Sequence, residues 1–87
     1  MLKIRRSTNG EVVFTVSGRL EACNVGELSA LLAVEPAGKA LVLDLTDLML
    51  VDRETVHFLQ GCEEDNIVLR NCPPYIRAWM ARERAES

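Results

Sequence analysis

Ala40-Leu41-Val42-Leu43-Asp44-Leu45 is the stretch of sequence that decides the fold, because every residue in it except Asp44 is apolar. A run this short and this apolar is typical of a central parallel strand that is covered on both faces. The preceding segment, Pro36-Ala37-Gly38, contains the residues that end a helix and start a loop. The sequence therefore predicts an α/β domain built around this strand.

A helical pattern precedes the strand. Its apolar residues recur at helical spacing and are Val25, Leu28, Leu31 and Leu32. Asn24 stands where a helix cap is expected, with Glu27 three residues later, which is the order of a capping box. These features predict helix one over residues 24–34.

A second helical pattern follows the strand and begins at Asp52, a residue type that is strongly preferred as an N-cap. The apolar face of this pattern has the spacing i, i+3, i+4 and i+7 and consists of Thr55, Phe58, Leu59 and Cys62. We therefore expect helix two to start at Asp52 and to bury this face, with Leu43 and Phe58 in the core.

The remaining elements complete the domain. Asn9-Gly10 separates two strand-like runs and predicts a β-hairpin whose second strand ends at Gly18. Residues 66–69 form a short buried strand, and Pro73-Pro74 leads into a third helix that carries Ile76, Trp79 and Met80. The predicted order is ββαβαβα in a single domain over residues 1–87. Right-handed crossovers make the last three strands parallel and the first antiparallel, in a four-stranded mixed sheet.

The composition of the sequence and the spacing of its cysteines and glycines limit which classes of function are expected. The net charge is −3, which gives no electrostatic reason to expect nucleic acid as a partner. The three cysteines have no C-x-x-C spacing, so we expect neither disulfides nor a bound metal, and the sequence has no glycine-rich phosphate loop that would indicate a nucleotide cofactor. The sequence shows no signal peptide and no membrane helix, so we expect a cytoplasmic protein without direct membrane insertion.

A thiol enzyme is the main catalytic alternative, because His57 could in principle activate one of the cysteines. On a helix, however, His57 falls opposite the apolar face, and Cys62 is five residues away on a different side. We therefore expect no catalysis from this pair.

Several segments, in the same order along the chain, resemble the STAS family, named for sulfate transporters and anti-sigma-factor antagonists. Gly18-Arg19-Leu20-Glu21 looks like the family's G-x-L-D/E turn, and Leu41-Val42-Leu43-Asp44-Leu45 with Leu48 looks like its central strand. Val51-Asp52 looks like its apolar-Asp step into helix two, and the segment from Pro74 to Met80 falls where its last helix begins. The resemblance covers nearly the whole chain and implies a STAS-type fold.

One segment departs from the pattern of the family's regulated members. There the aspartate at the start of helix two is followed by Ser or Thr, then by the phosphorylated Ser or Thr, then by Gly. This sequence reads Asp52-Arg53-Glu54-Thr55, so Glu54 occupies the acceptor position. The resemblance therefore implies that the usual phosphorylation switch is missing.

The resemblance also implies a function. It predicts a non-catalytic protein-interaction module similar to an anti-sigma-factor antagonist, acting in bacterial transcription regulation or signalling by binding an anti-sigma factor or a related kinase-like ATPase. An accessory subunit of a membrane transporter is the alternative. The partner-binding residues that it implies are Glu21, Asn24, Asp52, Arg53 and Glu54.

Overall fold

The computed structural model describes residues 2–35 and 38–86, which form a mixed β-sheet with helices packed against it. The strands are β1 (Lys3–Thr8), β2 (Val12–Leu20), β3 (Leu41–Asp44), β4 (Leu48–Val51) and β5 (Val68–Arg70). The helices are α1 (Ala22–Ala33), α2 (Arg53–Glu64) and α3 (Pro74–Glu86). The predicted α/β class is confirmed. The predicted four strands are corrected to five, because Leu48–Val51 forms a strand between β3 and α2.

The sheet has the strand order β1-β2-β3-β5, and β4 pairs with the end of β2. β1 is antiparallel to β2, joined by a tight turn in which Gly10 has a φ of 80°. β3 and β4 both run parallel to β2, and β5 runs parallel to β3. The predicted hairpin and the predicted strand directions are therefore confirmed.

All three helices pack on the same face of the sheet. Both helical crossovers advance in the same direction across the sheet, through α1 from β2 to β3 and through α2 from β4, which pairs with β2, to β5. Right-handed connections therefore place α1 and α2 on one side. Residues from α1, α2 and α3 join Phe14 and Leu43 in one core cluster, and Leu43 is fully buried. Phe58 lies at the margin of this cluster and is only half-buried.

The expectation that β3 is covered on both faces is confirmed, although all three helices pack on one face: Leu43 is fully buried on the helix side. Val42, on the face away from the helices, is only 1% exposed. Arg70 donates a hydrogen bond to Glu11 at 2.7 Å. Because β3 lies between β2 and β5, this ion pair spans the open face of β3 and helps to cover it.

Two predicted boundaries also change. Gly18 does not end the second strand: it has a φ of 90° at an irregularity in the β2–β4 pairing, and β2 continues to Leu20. Helix one starts at Ala22 rather than at Asn24. Pro36 and Ala37, predicted to end this helix, lie outside the described residues.

Leu43→Ala should lower the free energy of unfolding by about 2–5 kcal/mol, because it leaves a cavity in a fully packed core. Phe58→Ala should cost less, since its ring is already partly in contact with water. Val68→Ala is the control at a strand residue that is 52% exposed, and it should cost less than about 1 kcal/mol. Urea titration followed by circular dichroism measures all three, and equal losses at Leu43 and Val68 would contradict this core.

Candidate functional site

The candidate site lies where two parallel strands lead directly into two helices. Leu20, the last residue of β2, is the register partner of Val51, the last residue of β4. A single residue then connects each strand to its helix: Glu21 before α1 and Asp52 before α2. The first turns of α1 and α2 therefore lie side by side at the carboxyl edge of the sheet, a common location for binding sites in α/β folds.

The carboxylate of Asp52 accepts hydrogen bonds from both helices. Its Oδ1 accepts a hydrogen bond from the Thr55 backbone N–H at 3.0 Å, which caps α2 as predicted. Its Oδ2 accepts a hydrogen bond from the Ala22 backbone N–H at 2.8 Å, in the first turn of α1. The hydrogen bond from Ala22, followed by those from Thr55, lowers the pKa of the Asp52 carboxyl below its ordinary value. The carboxylate thus occupies the amide-rich position where helix N-termini can bind anions.

The sequence had indicated Asn24 as the cap of α1, and this prediction is wrong. Glu21 is the N-cap, and Asn24 stands at the third helical position. The Asn24 Oδ1 accepts a hydrogen bond from the Glu21 backbone N–H at 3.3 Å, so its side chain reaches back to the cap residue. The predicted bounds left several residues between the second strand and helix one, whereas β2 and α1 are connected by Glu21 alone.

Thr55 and Glu54 are neighbours in the first turn of α2 but differ in exposure. Thr55 is 0% exposed, and its hydroxyl lies 3.0 Å from the Leu20 carbonyl oxygen and 2.7 Å from Asp52 Oδ1, both of which can accept its proton. Glu54 is exposed to solvent. The structure therefore places Glu54, and not the Thr55 hydroxyl, where another molecule can reach it.

Arg53 is connected to α3. Its Nε donates a hydrogen bond to Glu83 Oε1 at 2.9 Å, and His57 Nε2 lies 2.6 Å from the same oxygen. The hydrogen bond from Arg53, and then that from His57, lowers the pKa of Glu83. The role of Glu83 in holding Arg53 was missed, because sequence spacing within one helix does not show which residues of two helices meet.

The cysteines and the histidine lie in different environments. Cys62 is buried in the core cluster, where burial raises the pKa of its thiol to about 12. Burial also raises the pKa of the half-buried Cys72, and Cys23 is exposed on α1. His57 lies at the surface against Glu83. Over residues 2–35 and 38–86, no group of three or more His, Cys, Asp or Glu side chains is placed to hold a metal ion.

A further feature beside the site was not predicted. β4 exposes Met49 and Leu50, whose exposed fractions are 76% and 46%, and Tyr75 at the start of α3 is 47% exposed. The Tyr75 hydroxyl donates a hydrogen bond to the Met49 carbonyl oxygen at 2.8 Å, which joins α3 to β4. The run Leu48-Met49-Leu50-Val51 is apolar throughout, so its sequence alone does not indicate which residues face solvent.

Neither a comparison with protein-family models nor a comparison with curated proteins finds a match for this sequence. The fold and the site define a small α/β domain, with a one-sided sheet and two adjacent helix N-termini joined by a carboxylate. Within the described residues no helix has both the length and the apolar character needed to cross a membrane.

Asp52→Ala should lower the free energy of unfolding by about 1–2 kcal/mol, because it removes the cap of α2 and leaves amides of both helices without their acceptor. Glu54→Ala, two residues later in the same turn, is the matched control. It should lower the free energy of unfolding by about 0.3–1 kcal/mol, because it removes a negative charge that interacts favourably with the helix dipole. Chemical denaturation at pH 7 measures both, and equal costs would show that Asp52 does not join the helices.

The contribution of Asp52 should depend on pH. Its folded pKa is lowered, so the stabilisation is complete above its unfolded pKa of 3.8 and is lost as the pH falls through the folded pKa. The difference in stability between wild type and Asp52→Asn should therefore be constant from neutral pH down to about pH 5 and shrink in acid. Urea titrations at a series of pH values test this, and a difference that persists unchanged at the lowest pH would contradict it.

Proposed function

We propose that this chain is a non-catalytic protein-interaction module of the STAS type, similar to anti-sigma-factor antagonists. It acts in the cytoplasm, in bacterial transcription regulation or signalling, by binding an anti-sigma factor or a related kinase-like ATPase. The observation that carries the proposal is the contrast at the start of α2, where Glu54 is exposed and Thr55 is buried. The resemblance places Glu54 at the acceptor position of the family's partner surface.

Two structural features support this assignment. The order of elements agrees with the resemblance, from the hairpin through the strand β3 to a helix that starts directly after Asp52. Arg53 is held by Glu83, so the surface at the front of α2 consists of ordered side chains from two helices. A surface that is already ordered loses less conformational entropy when it binds a partner.

The roles of the five residues differ in this proposal. Glu54 and Arg53 contact the partner directly, because both are exposed in the first turn of α2. Asp52 holds the first turns of α1 and α2 together through its two carboxylate oxygens. Glu21 and Asn24 form the adjacent first turn of α1, where both are half-buried, and they complete the surface.

A transporter accessory subunit is the second candidate, and the apolar side chains of β4 favour it. Met49, Leu50 and Tyr75 are exposed, and β4, which carries the first two, ends one residue before Asp52. Exposed apolar surface of this kind marks interaction sites when it forms a contiguous patch. Met49→Ser would weaken binding to a transporter component more than Glu54→Ser does if this candidate is correct.

The partner class can be identified by affinity capture from a native bacterial lysate followed by mass spectrometry. Recovery of a kinase-like ATPase supports the first candidate, and recovery of a transporter component supports the second. The captured partner is then titrated against wild type, Glu54→Ser and the matched control Glu64→Ser, which removes the same charge at the other end of α2. Glu54→Ser should change the affinity and Glu64→Ser should not; identical affinities for all three proteins would show that Glu54 is not on the partner surface.

Wild-type protein should not be phosphorylated at the start of α2. Thr55 is fully buried, and a phosphate there would add about two negative charges beside the Asp52 carboxylate that its hydroxyl now contacts. A STAS-family kinase should modify Glu54→Ser, which supplies an exposed hydroxyl, and leave wild type unmodified. Incubation with labelled ATP and peptide mapping measures both, and phosphate on Thr55 of the wild-type protein would contradict the loss of the switch.

A further inference from the structure

β1 forms one edge of the sheet, and a groove lies between this strand and α1. β1 pairs only with β2, so its other edge has no neighbouring strand within the described residues. In an antiparallel strand every second residue directs its backbone N–H and C=O away from the paired neighbour. β1 therefore presents the backbone groups of alternate residues along an edge that can accept another strand.

The groove runs along this edge, and its lining is mixed, with apolar side chains beside polar and charged ones. Its volume is about 520 Å³, and the residues that line it are Leu2, Ile4, Arg6, Phe14, Asn24, Glu27 and Leu31. Ile4 is the register partner of Val16, a core residue, so Ile4 faces the helices and contributes to this lining. An added strand would direct alternate side chains into this groove.

One end of the groove is closed by an ion pair. Arg6 Nε and Nη2 donate hydrogen bonds to Glu35 Oε2 and Oε1 at 3.0 and 2.9 Å, which ties β1 to the segment after α1. The pair fixes the distance between β1 and the end of α1. The groove is therefore a formed feature of the structure, and an occupant does not have to separate the two elements.

The other face of β1 is basic. Lys3 and Arg5 are exposed, and their register partners in β2 are the polar residues Ser17 and Thr15. These four residues line a shallow depression together with Asp47, so two cationic side chains stand beside one carboxylate. Opposite charges on directly paired residues of adjacent strands stabilise their pairing, whereas like charges destabilise it.

We propose that β1 binds an extended segment of another protein by strand addition, and that this segment alternates apolar with acidic residues. The apolar side chains enter the groove between β1 and α1. The acidic side chains lie on the opposite face, beside Lys3 and Arg5. This surface shares Asn24 with the partner surface proposed above but does not include the first turn of α2, so strand addition at β1 can be tested independently of that function.

The same charges disfavour a second copy of this chain as the occupant. An antiparallel pairing of two β1 strands about their centres would bring Arg5 of each copy against Arg5 or Arg6 of the other. Such like-charge pairs oppose association. Basic residues on an edge strand can have a different role, which is to prevent aggregation. That role does not require a groove beside the strand, whereas β1 has one.

The test uses the full chain and a fluorescein-labelled peptide of about eight residues that alternates glutamate with valine. Fluorescence anisotropy measures the dissociation constant for this peptide and for one that has lysine in place of glutamate. Only the acidic peptide should bind. Absence of saturable binding of the acidic peptide up to about 1 mM would overturn the proposal.

Two N-methylated versions of the acidic peptide distinguish strand addition from charge attraction. One is methylated at the valine amides and the other at the glutamate amides. Only one of these sets can donate to β1, because alternate residues of a strand face opposite neighbours. One methylated peptide should therefore lose binding and the other should retain it, whereas equal affinity for both would exclude strand addition.

Matched variants locate the site. Arg5→Glu should weaken binding of the acidic peptide by about tenfold or more, and Lys3→Glu should act in the same direction. Arg82→Glu makes the same change at an exposed position on α3 and should alter the affinity by less than about twofold. Thermal unfolding confirms that each variant is folded. Equal effects of Arg5→Glu and Arg82→Glu on the affinity would place the binding site elsewhere. The same conclusion would follow if addition of the acidic peptide left the amide NMR shifts of β1 unchanged.

Sedimentation equilibrium of the free protein tests the second copy as the occupant. The protein should show no dimer that depends on β1. If the wild type does form a dimer, two changes test whether β1 holds it: N-methylation of Ile4 by chemical synthesis, and addition of the acidic peptide. Dissociation of the dimer to monomers under either change would identify a second copy as the occupant and overturn the proposal.

Discussion

The Asp52 carboxylate joins the two helices whose first turns meet at the edge of the sheet. Both helix N-termini carry unpaired amides and a partial positive charge, and pairing of β2 with β4 brings them together. Oδ1 accepts the Thr55 amide hydrogen and Oδ2 accepts that of Ala22, so one side chain serves both helices. The positions of Thr55, Glu54 and the first turn of α1 depend on this arrangement, because each is fixed relative to Asp52.

A one-sided sheet explains where the remaining surfaces lie. Both crossovers advance in the same direction, so the helices share one face and leave the other to Thr15, Ser17, Lys3 and Arg5. The ion pair between Arg70 and Glu11 supplies part of the cover that helices would otherwise provide for β3. The front of α2 and the edge formed by β1 therefore lie on different parts of the domain and present different side chains to solvent.

The sequence predicted the elements whose signals are local and did not predict those that depend on packing. Asp52 and the helical spacing after it located α2, because a cap and an apolar face are both readable within one segment. β4 was missed, since Leu48-Met49-Leu50-Val51 has no alternation and gains its strand structure by pairing with β2. Asn24 was taken as a cap because its residue type fits, whereas Glu21 holds that position and Asn24 bonds back to it.

The same distinction applies to the candidate site. Glu54 and Thr55 could be compared with the family's pattern from sequence, but their exposure is decided by the turn that Asp52 fixes. The Thr55 hydroxyl is directed to Leu20 and Asp52, so it stabilises the junction between β2 and α2 and is withdrawn from solvent. In the proposed function, structural support and recognition fall to two adjacent residues, Thr55 and Glu54. A substitution at the exposed Glu54 removes none of the hydrogen bonds of the junction, so this position can vary while the fold is kept.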